Sequence, residues 1–280
     1  MTNFAVIGPG AVGSVIALEL LKAGLDVKLF GRQEQQVVVK QTKLNVTSLV
    51  VNQQKFDYIF IAIKVTKNHE ITEALRKMTH HHTIIIVCQN GMGQLTDFNM
   101  AAAFQAAVYI SGQKKGDVVT HFRDQTLILP DYPAMHDLKK HLSQSTIEIV
   151  ISEGQRTILW YKMLVNLGIN TVTALSKNTT AIMELENIQQ LVRNLLHEGV
   201  QIANADGENF SEATIDEIME IYKGYPADMG TSMYYDALND RKLEYDFIQG
   251  QFHQIARENH IDTPVLDICC TLLTAYQYKK

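Results

Sequence analysis

The chain predicts an α/β protein: a Rossmann-type doubly wound sheet domain at the amino-terminal end, followed by an all-helical domain. Two observations predict this. Residues 4–30 read as strand, glycine turn, helix and strand, and beyond Gly154 β-branched apolar runs give way to a helical apolar period. A length of 280 residues is comfortable for two domains, set here at 1–153 for dinucleotide binding and 154–280 for substrate and catalysis.

The first strand is the apolar run Phe4-Ala5-Val6-Ile7, which breaks into Gly8-Pro9-Gly10-Ala11-Val12-Gly13. Each glycine has its own mechanical duty. Gly8 permits the tight turn, Gly10 removes the side chain that would hold a pyrophosphate off the backbone, and Gly13 lets the following helix pack close. That helix carries Val15, Ile16, Leu18, Leu21 and Leu25 as apolar positions and ends at Ala23-Gly24. Its free N–H groups and positive dipole end favour an anion, so residues 8–13 form a candidate dinucleotide-phosphate cradle.

The second strand, Val27 to Phe30, ends in Gly31-Arg32. NAD-binding folds normally place a carboxylate there for the ribose 2′-hydroxyl. An arginine in its stead suits a 2′-phosphate, which its planar fork can bind through two hydrogen bonds, so NADP (as NADPH) is the expected cofactor. The alternative is a solvated surface arginine.

A polar, Gln-rich stretch comes next, then a β-branched one from Leu44 to Val51 that continues the sheet. Tyr58 to Ile63 is near-continuously apolar, as a strand covered on both faces should be. It ends at Lys64, on the carboxyl edge where doubly wound folds bind ligands. A helix with Ile71, Leu75 and Met78 inward leads to the strand Thr83 to Cys88 and to Gln89-Asn90-Gly91, although Asn-Gly is also an ordinary turn dipeptide. His80-His81-His82 reads as a solvated turn, since three consecutive side chains converge poorly on one metal. Three short strand-like runs follow, Ala106 to Ile110, Asp117 to His121 and Thr126 to Leu129. A helix around Leu138 and Leu142 and a last strand, Ile147 to Ile151, complete the domain. Closure over ligands would hinge at Glu153-Gly154. Among the later helices, Ser211 and Thr263-Pro264 read as N-terminal caps.

Composition narrows the function class. A formal charge of −5 without basic runs argues against nucleic acid as partner. Three cysteines, Cys88, Cys269 and Cys270, have no metal-ligand spacing and suit a reducing compartment. No apolar stretch approaches a membrane span and no leader pattern precedes the first strand, so the expectation is a cytoplasmic protein with no metal and no membrane contact.

Lys162, Asn166 and Asn170 recur at i, i+4 and i+8 among apolar neighbours, which puts an ammonium and two amides on one helical stripe. Such a stripe is satisfied either by a ligand in the domain cleft or by water. Further on, Glu244 stands near a helix start, where a carboxylate can act simply as a partner of the dipole.

Taken together, these residues resemble the ketopantoate reductase (2-dehydropantoate 2-reductase) family of pantothenate synthesis. The resemblance runs nearly end to end. It rests on Gly8-x-Gly10-x-x-Gly13, Lys64, Gln89-Asn90-Gly91, Trp160-x-Lys162-x-x-x-Asn166-x-x-x-Asn170, Ser232-Met233 with Asp236, and Arg241-x-x-Glu244-x-Asp246-x-x-x-Gly250. It implies Lys162 as catalytic lysine and Glu244 as essential glutamate. It also implies Lys64 and Asn90 toward the cofactor, and Asn90, Asn166, Asn170 and Ser232 toward a small 2-oxo acid; a homodimer is left open as the one macromolecular partnership. The chemistry implied is hydride transfer from reduced nicotinamide to the ketone, with the lysine ammonium stabilising and protonating the carbonyl oxygen. Three positions depart from the family pattern: Pro9 replaces alanine, Asp240 replaces glycine and Gln249 replaces asparagine. Pro9 deletes one N–H donor while fixing the turn. Three readings follow: an NADPH-dependent ketopantoate reductase, a relative reducing another 2-oxo acid such as an aromatic one, and a non-catalytic dinucleotide sensor.

Overall fold

Phe4 to Ile7 have no exposed surface, and the strand they belong to, β1 (Asn3–Ile7), is central to the sheet. It pairs in parallel with β2 (Asp26–Gly31) on one side and β5 (Tyr58–Ile61) on the other. Beyond β5 lie β6 (Ile84–Val87) and β7 (Ala102–Gln105), both parallel. Beyond β2 come β4 (Thr42–Ser48), then β3 (Gln35–Val39) antiparallel to it. The sheet continues through β9 (Val118–Pro130) to β10 (Glu148–Ser152), while β8 (Ala107–Lys115) forms an antiparallel hairpin with β9. The computed structural model describes residues 2–278 of the chain.

Period-two alternation along β1 divides the core. Phe4 and Val6 join one apolar cluster, with α1 (Ala11–Lys22) and α3 (Pro133–His141), whereas Ala5 and Ile7 join the other, with α2 (Asn68–Met78). Each fully buried Phe, Val or Ile among these contributes about 1.5–3 kcal/mol, so both faces are strongly specified.

The Gln-rich stretch after Arg32 carried no strand expectation, yet it forms β3. Val37 and Val39 are buried while Gln36 stays outside, an alternation too short to stand out from its polar neighbours. β7 likewise has no signature in the sequence, because its alanines and Gln105 carry little strand propensity. The runs expected separately at 117–121 and 126–129 are one strand, β9. Ser111 pairs with Arg123 and Tyr109 with Thr126, so Asp124 and Gln125 on β9 stand opposite Ile110 alone on β8, and Asp124 has φ +60°. A bulge, rather than a loop, carries those polar residues. The Leu44 to Val51 run stops at Ser48, whose hydroxyl accepts from the Val50 amide at 3.4 Å, and Leu49–Val51 is a single 3₁₀ turn.

By contact density the chain divides into Met1–Arg156 and Thr157–Lys280. The second unit is helical. Its elements are α4 (Gln155–Ser176, whose first two residues count with the first unit), α5 (Glu186–Ala205), α6 (Glu212–Lys223), α7 (Ser232–Leu238), α8 (Gln249–Glu258) and α9 (Pro264–Gln277). Trp160 of α4 is buried edge-on against Phe252 of α8, ring centres 5.3 Å apart. Two glycines let helices approach closely. A Cβ on Gly168 would lie 2.5 Å from the Tyr222 hydroxyl oxygen of α6, and one on Gly199 of α5 would lie 2.6 Å from Leu167 of α4. Among the described residues no helix is long and apolar enough to cross a membrane.

Candidate active site

The glycine turn is built by exclusion. Gly8 has φ +117°, and a side chain there would reach within 2.5 Å of the Ala62 carbonyl oxygen; one on Gly13 would collide with the Gly8 carbonyl. The Gly8 amide donates to the Phe30 carbonyl at 2.9 Å, pinning the turn to the end of β2. Gly10 differs: a Cβ there meets nothing within 4 Å. Open space above Gly10 is what a pyrophosphate approaching the backbone requires. Gly10 is also the N-cap of α1, without a side-chain cap and without an acidic residue in the first turn, where Ala11, Val12 and Gly13 present their amides. Pro9 packs against the bare face of Gly31, with its Cγ 3.1 Å from where a Cβ would stand. Pro9 therefore stiffens the turn, and a side chain at position 31 would displace it.

Arg32 follows directly and is exposed. Its charge acts on Glu70 in the first turn of α2, a neighbour that sequence spacing could not reveal. The Glu70 carboxyl is held below the usual carboxylate range by a hydrogen bond from Lys67, then by the Lys67 charge and by Arg32. Arg32, after β2, and Lys67, in the short turn after β5, thus both act on Glu70, and Lys67 is a candidate cofactor contact with no signal in the sequence.

Lys64 and Asn90 follow β5 and β6, neighbouring strands in register at Ile61 and Val87, so both stand at one carboxyl edge. Buried amides hold them there. Gln89 donates to the carbonyl of Ile63, the residue before Lys64, at 2.9 Å and to Asn68 Oδ1 at 2.7 Å; Asn68 in turn donates to Asp97 at 2.8 Å. Gln94 donates to the Asn90 carbonyl at 2.6 Å, Gln105 to the Gly91 carbonyl at 2.5 Å, and Gln155 to the Gln105 carbonyl at 2.7 Å. Gly91 has φ +88°, so the Asn-Gly turn is present, and its carbonyls are fixed by side chains from 4 and 14 residues away.

In the second unit α4 is the hub. Lys162 and Asn166 are half-buried and Asn170 is buried, so the stripe runs from partial exposure into the interior and is not a simple solvated face. Tyr222 donates to the Val165 carbonyl at 2.7 Å, and deep burial pushes its phenol well above the usual range. Thr171 and Thr173 donate to Leu167 and Ile169 at 2.6 and 2.7 Å. Ser232 is the exposed first residue of α7, behind the N-cap Thr231. Glu244 is buried and stands five residues before α8, heading only the short 3₁₀ turn Tyr245–Phe247, so it is not in the first turn of an α-helix. Asp240 has φ +51°, and the Arg241 amide closes the end of α7 on the Asp236 carbonyl at 2.9 Å. That left-handed position suits glycine, which the resemblance implies there, and aspartate is among the few other residues that tolerate it. Gln249 is buried, donating to Thr171 Oγ1 at 2.8 Å with Met233 Sδ 3.9 Å from the same nitrogen.

Two family models span almost the whole chain: Ketopantoate reductase PanE/ApbA over residues 4–134 and Ketopantoate reductase PanE/ApbA C terminal over 155–277. A dimeric ketopantoate reductase from Staphylococcus aureus is 43% identical, with a TM-score of 0.96 and 99% of each chain covered. This chain belongs to the ketopantoate reductase family. A 2-dehydropantoate 2-reductase from Mycobacterium tuberculosis is 27% identical over 289 residues, covering 98% of this chain and 97% of the relative. D-mandelate dehydrogenase, in a ternary structure with NADH and anilino(oxo)acetate, superposes with a TM-score of 0.89 at 17% identity over 99% of each chain, a likeness of fold alone. Ketopantoate reductases are NAD(P)-dependent oxidoreductases on a Rossmann-type fold, and the glycine turn of this member, with its open Gly10 and uncapped α1, has the form such a cofactor needs.

Proposed function

We propose that the chain reduces 2-dehydropantoate to pantoate with NADPH, a step of pantothenate and coenzyme A synthesis. The observation that carries this is the retention of Lys162 and Glu244 in a chain matched along almost its whole length by the family. When bound, the reduced nicotinamide supplies the hydride. Lys162, as an ammonium, stabilises the charge developing on the carbonyl oxygen and gives it a proton. Glu244 holds that lysine or the nascent hydroxyl in position. Ser232 with Asn166 or Asn170 takes the carboxylate, and Asn90 orients the reacting groups. Residues 8–13 and Lys64 hold the cofactor, and Arg32, with Lys67 beside it, carries the preference for NADPH over NADH. The protein works in the cytoplasm, and the dimeric S. aureus relative supports a homodimer.

Steady-state oxidation of NADPH with ketopantoate, by wild type and by Lys162→Ala, tests the assignment. Fast turnover that falls about 10²-fold or more in the variant is the expected result. Gln249, which stands where the family has asparagine and donates to Thr171 next to Asn170, favours a second reading in which another 2-oxo acid is the substrate. Turnover of phenylglyoxylate but not ketopantoate would establish that reading, and no turnover with either acid would leave the sensor.

A further inference from the structure

We infer that Thr173 and Thr231 are positioning residues that set Ser232 against the Asn170 turn of α4, and so set the affinity for the substrate carboxylate. This rests on the reading of Ser232 and Asn170 as substrate groups. A hydroxyl has one proton. Thr173 spends its proton on the Ile169 carbonyl at 2.7 Å, so in the 2.8 Å contact between the two hydroxyls Thr231 is the donor. Thr231 in turn accepts from the Tyr234 amide at 3.1 Å. The result is a relay of one polarity: Tyr234 amide, Thr231, Thr173, Ile169 carbonyl. Thr173 and Thr231 are both buried, where such a chain polarises itself and tolerates no gap.

The relay matters because α7 is only seven residues long, too short to hold itself by propensity. Its entry is fixed by Thr231, and Ser232 is the next residue. A parallel relay runs beside it, from the Gln249 amide through Thr171 to the Leu167 carbonyl, with Gln249 also against Met233. The two relays end on α4 one and three residues before Asn170. Both flanks of Ser232, Thr231 and Met233, are therefore tied to groups adjoining the turn that bears Asn170.

The test is Thr173→Val, which keeps shape and removes the relay, beside Thr173→Ser, which keeps the hydroxyl. In Thr173→Val the KM for ketopantoate rises about tenfold, with kcat and the KM for NADPH within about twofold, and Thr173→Ser matches wild type. In a Ser232→Ala background the same Thr173→Val change alters KM by less than about twofold, because the group it positions is gone. A general packing defect would multiply KM equally in both backgrounds and would overturn the inference, as would a Ser232→Ala enzyme with unchanged KM. Independently of turnover, hydrogen exchange at the Tyr234 amide quickens in Thr173→Val and not in Thr173→Ser; unchanged exchange overturns the relay itself. Loss of ketopantoate turnover in wild type with that exchange signature intact would count against the proposed substrate, and intact turnover without the signature against the relay.

Discussion

Two helix N-termini in this protein are treated in opposite ways. At α1 the N-cap is Gly10, no side chain caps the amides and no acidic residue occupies the first turn. At α9 the first residue is Pro264, which has no N–H to satisfy, and the amides of Val265 and Leu266 are taken at 2.9 and 2.8 Å by the two carboxylate oxygens of Glu198, a buried residue of α5. Thr263, expected from its sequence to cap α9, instead turns its hydroxyl to Asp267. A helix start that serves only structure is thus neutralised from within by a carboxylate. The start of α1 is left bare of any such carboxylate, and under the proposed function the amides whose counterparts Glu198 satisfies at α9 would take the phosphate there.

The largest expected effect comes from making α1 resemble α9. Gly10 has φ −86°, which any residue adopts, so Gly10→Asp would cap the helix while placing a negative charge where phosphate belongs. Fluorescence titration should show NADPH affinity falling at least about 100-fold, with thermal stability unchanged or raised by up to about 1 kcal/mol. Making α9 resemble α1 is the converse. Glu198→Ala strands one buried and one half-buried amide and should lower the unfolding free energy by about 2–3 kcal/mol in urea, without a change in the ratio of NADPH to NADH turnover.

Smaller effects sharpen the contrast. Arg32→Ala should raise the KM for NADPH by about tenfold and leave NADH kinetics unchanged, if a 2′-phosphate is what the bare end of β2 awaits. The smallest concerns a carboxylate that α1 does possess, Glu19, far from its N-terminus. Its side chain is only 2% exposed and pairs with Lys40 at 3.0 Å and Lys22 at 3.5 Å, and it accepts from Thr146 at 2.8 Å. Burial by itself would raise this carboxyl, but the hydrogen bonds from Lys40 and Thr146 and the charges of both lysines outweigh it and bring its pKa below the ordinary 4.5. A depressed carboxylate stabilises the fold above its unfolded pKa, and that stability is lost as pH falls through the folded value. Thermal melts should therefore show wild type losing stability below about pH 4.5 more steeply than Glu19→Gln.

Local periodicity and local sterics explain how much of this was legible beforehand. The glycine spacing 8, 10, 13, the buried strands β1, β5 and β6, and the stripe Lys162, Asn166, Asn170 are patterns written within one or two turns or strands, so the sequence alone determines them. So, too, does the placing of Lys64 and Asn90 at neighbouring strand ends. Only the tertiary structure decided the rest: that Val37 and Val39 make a strand, that Asp124 sits in a bulge, that Glu70 and Lys67 stand by Arg32, that Glu198 caps a helix 67 residues on, and that Thr173 meets Thr231 across 58 residues. The physical reason is that a polar side chain has no periodic signature for its partner. Burial demands that it find one, but which one depends on packing that brings distant segments together, and nothing in its neighbours along the chain records the choice.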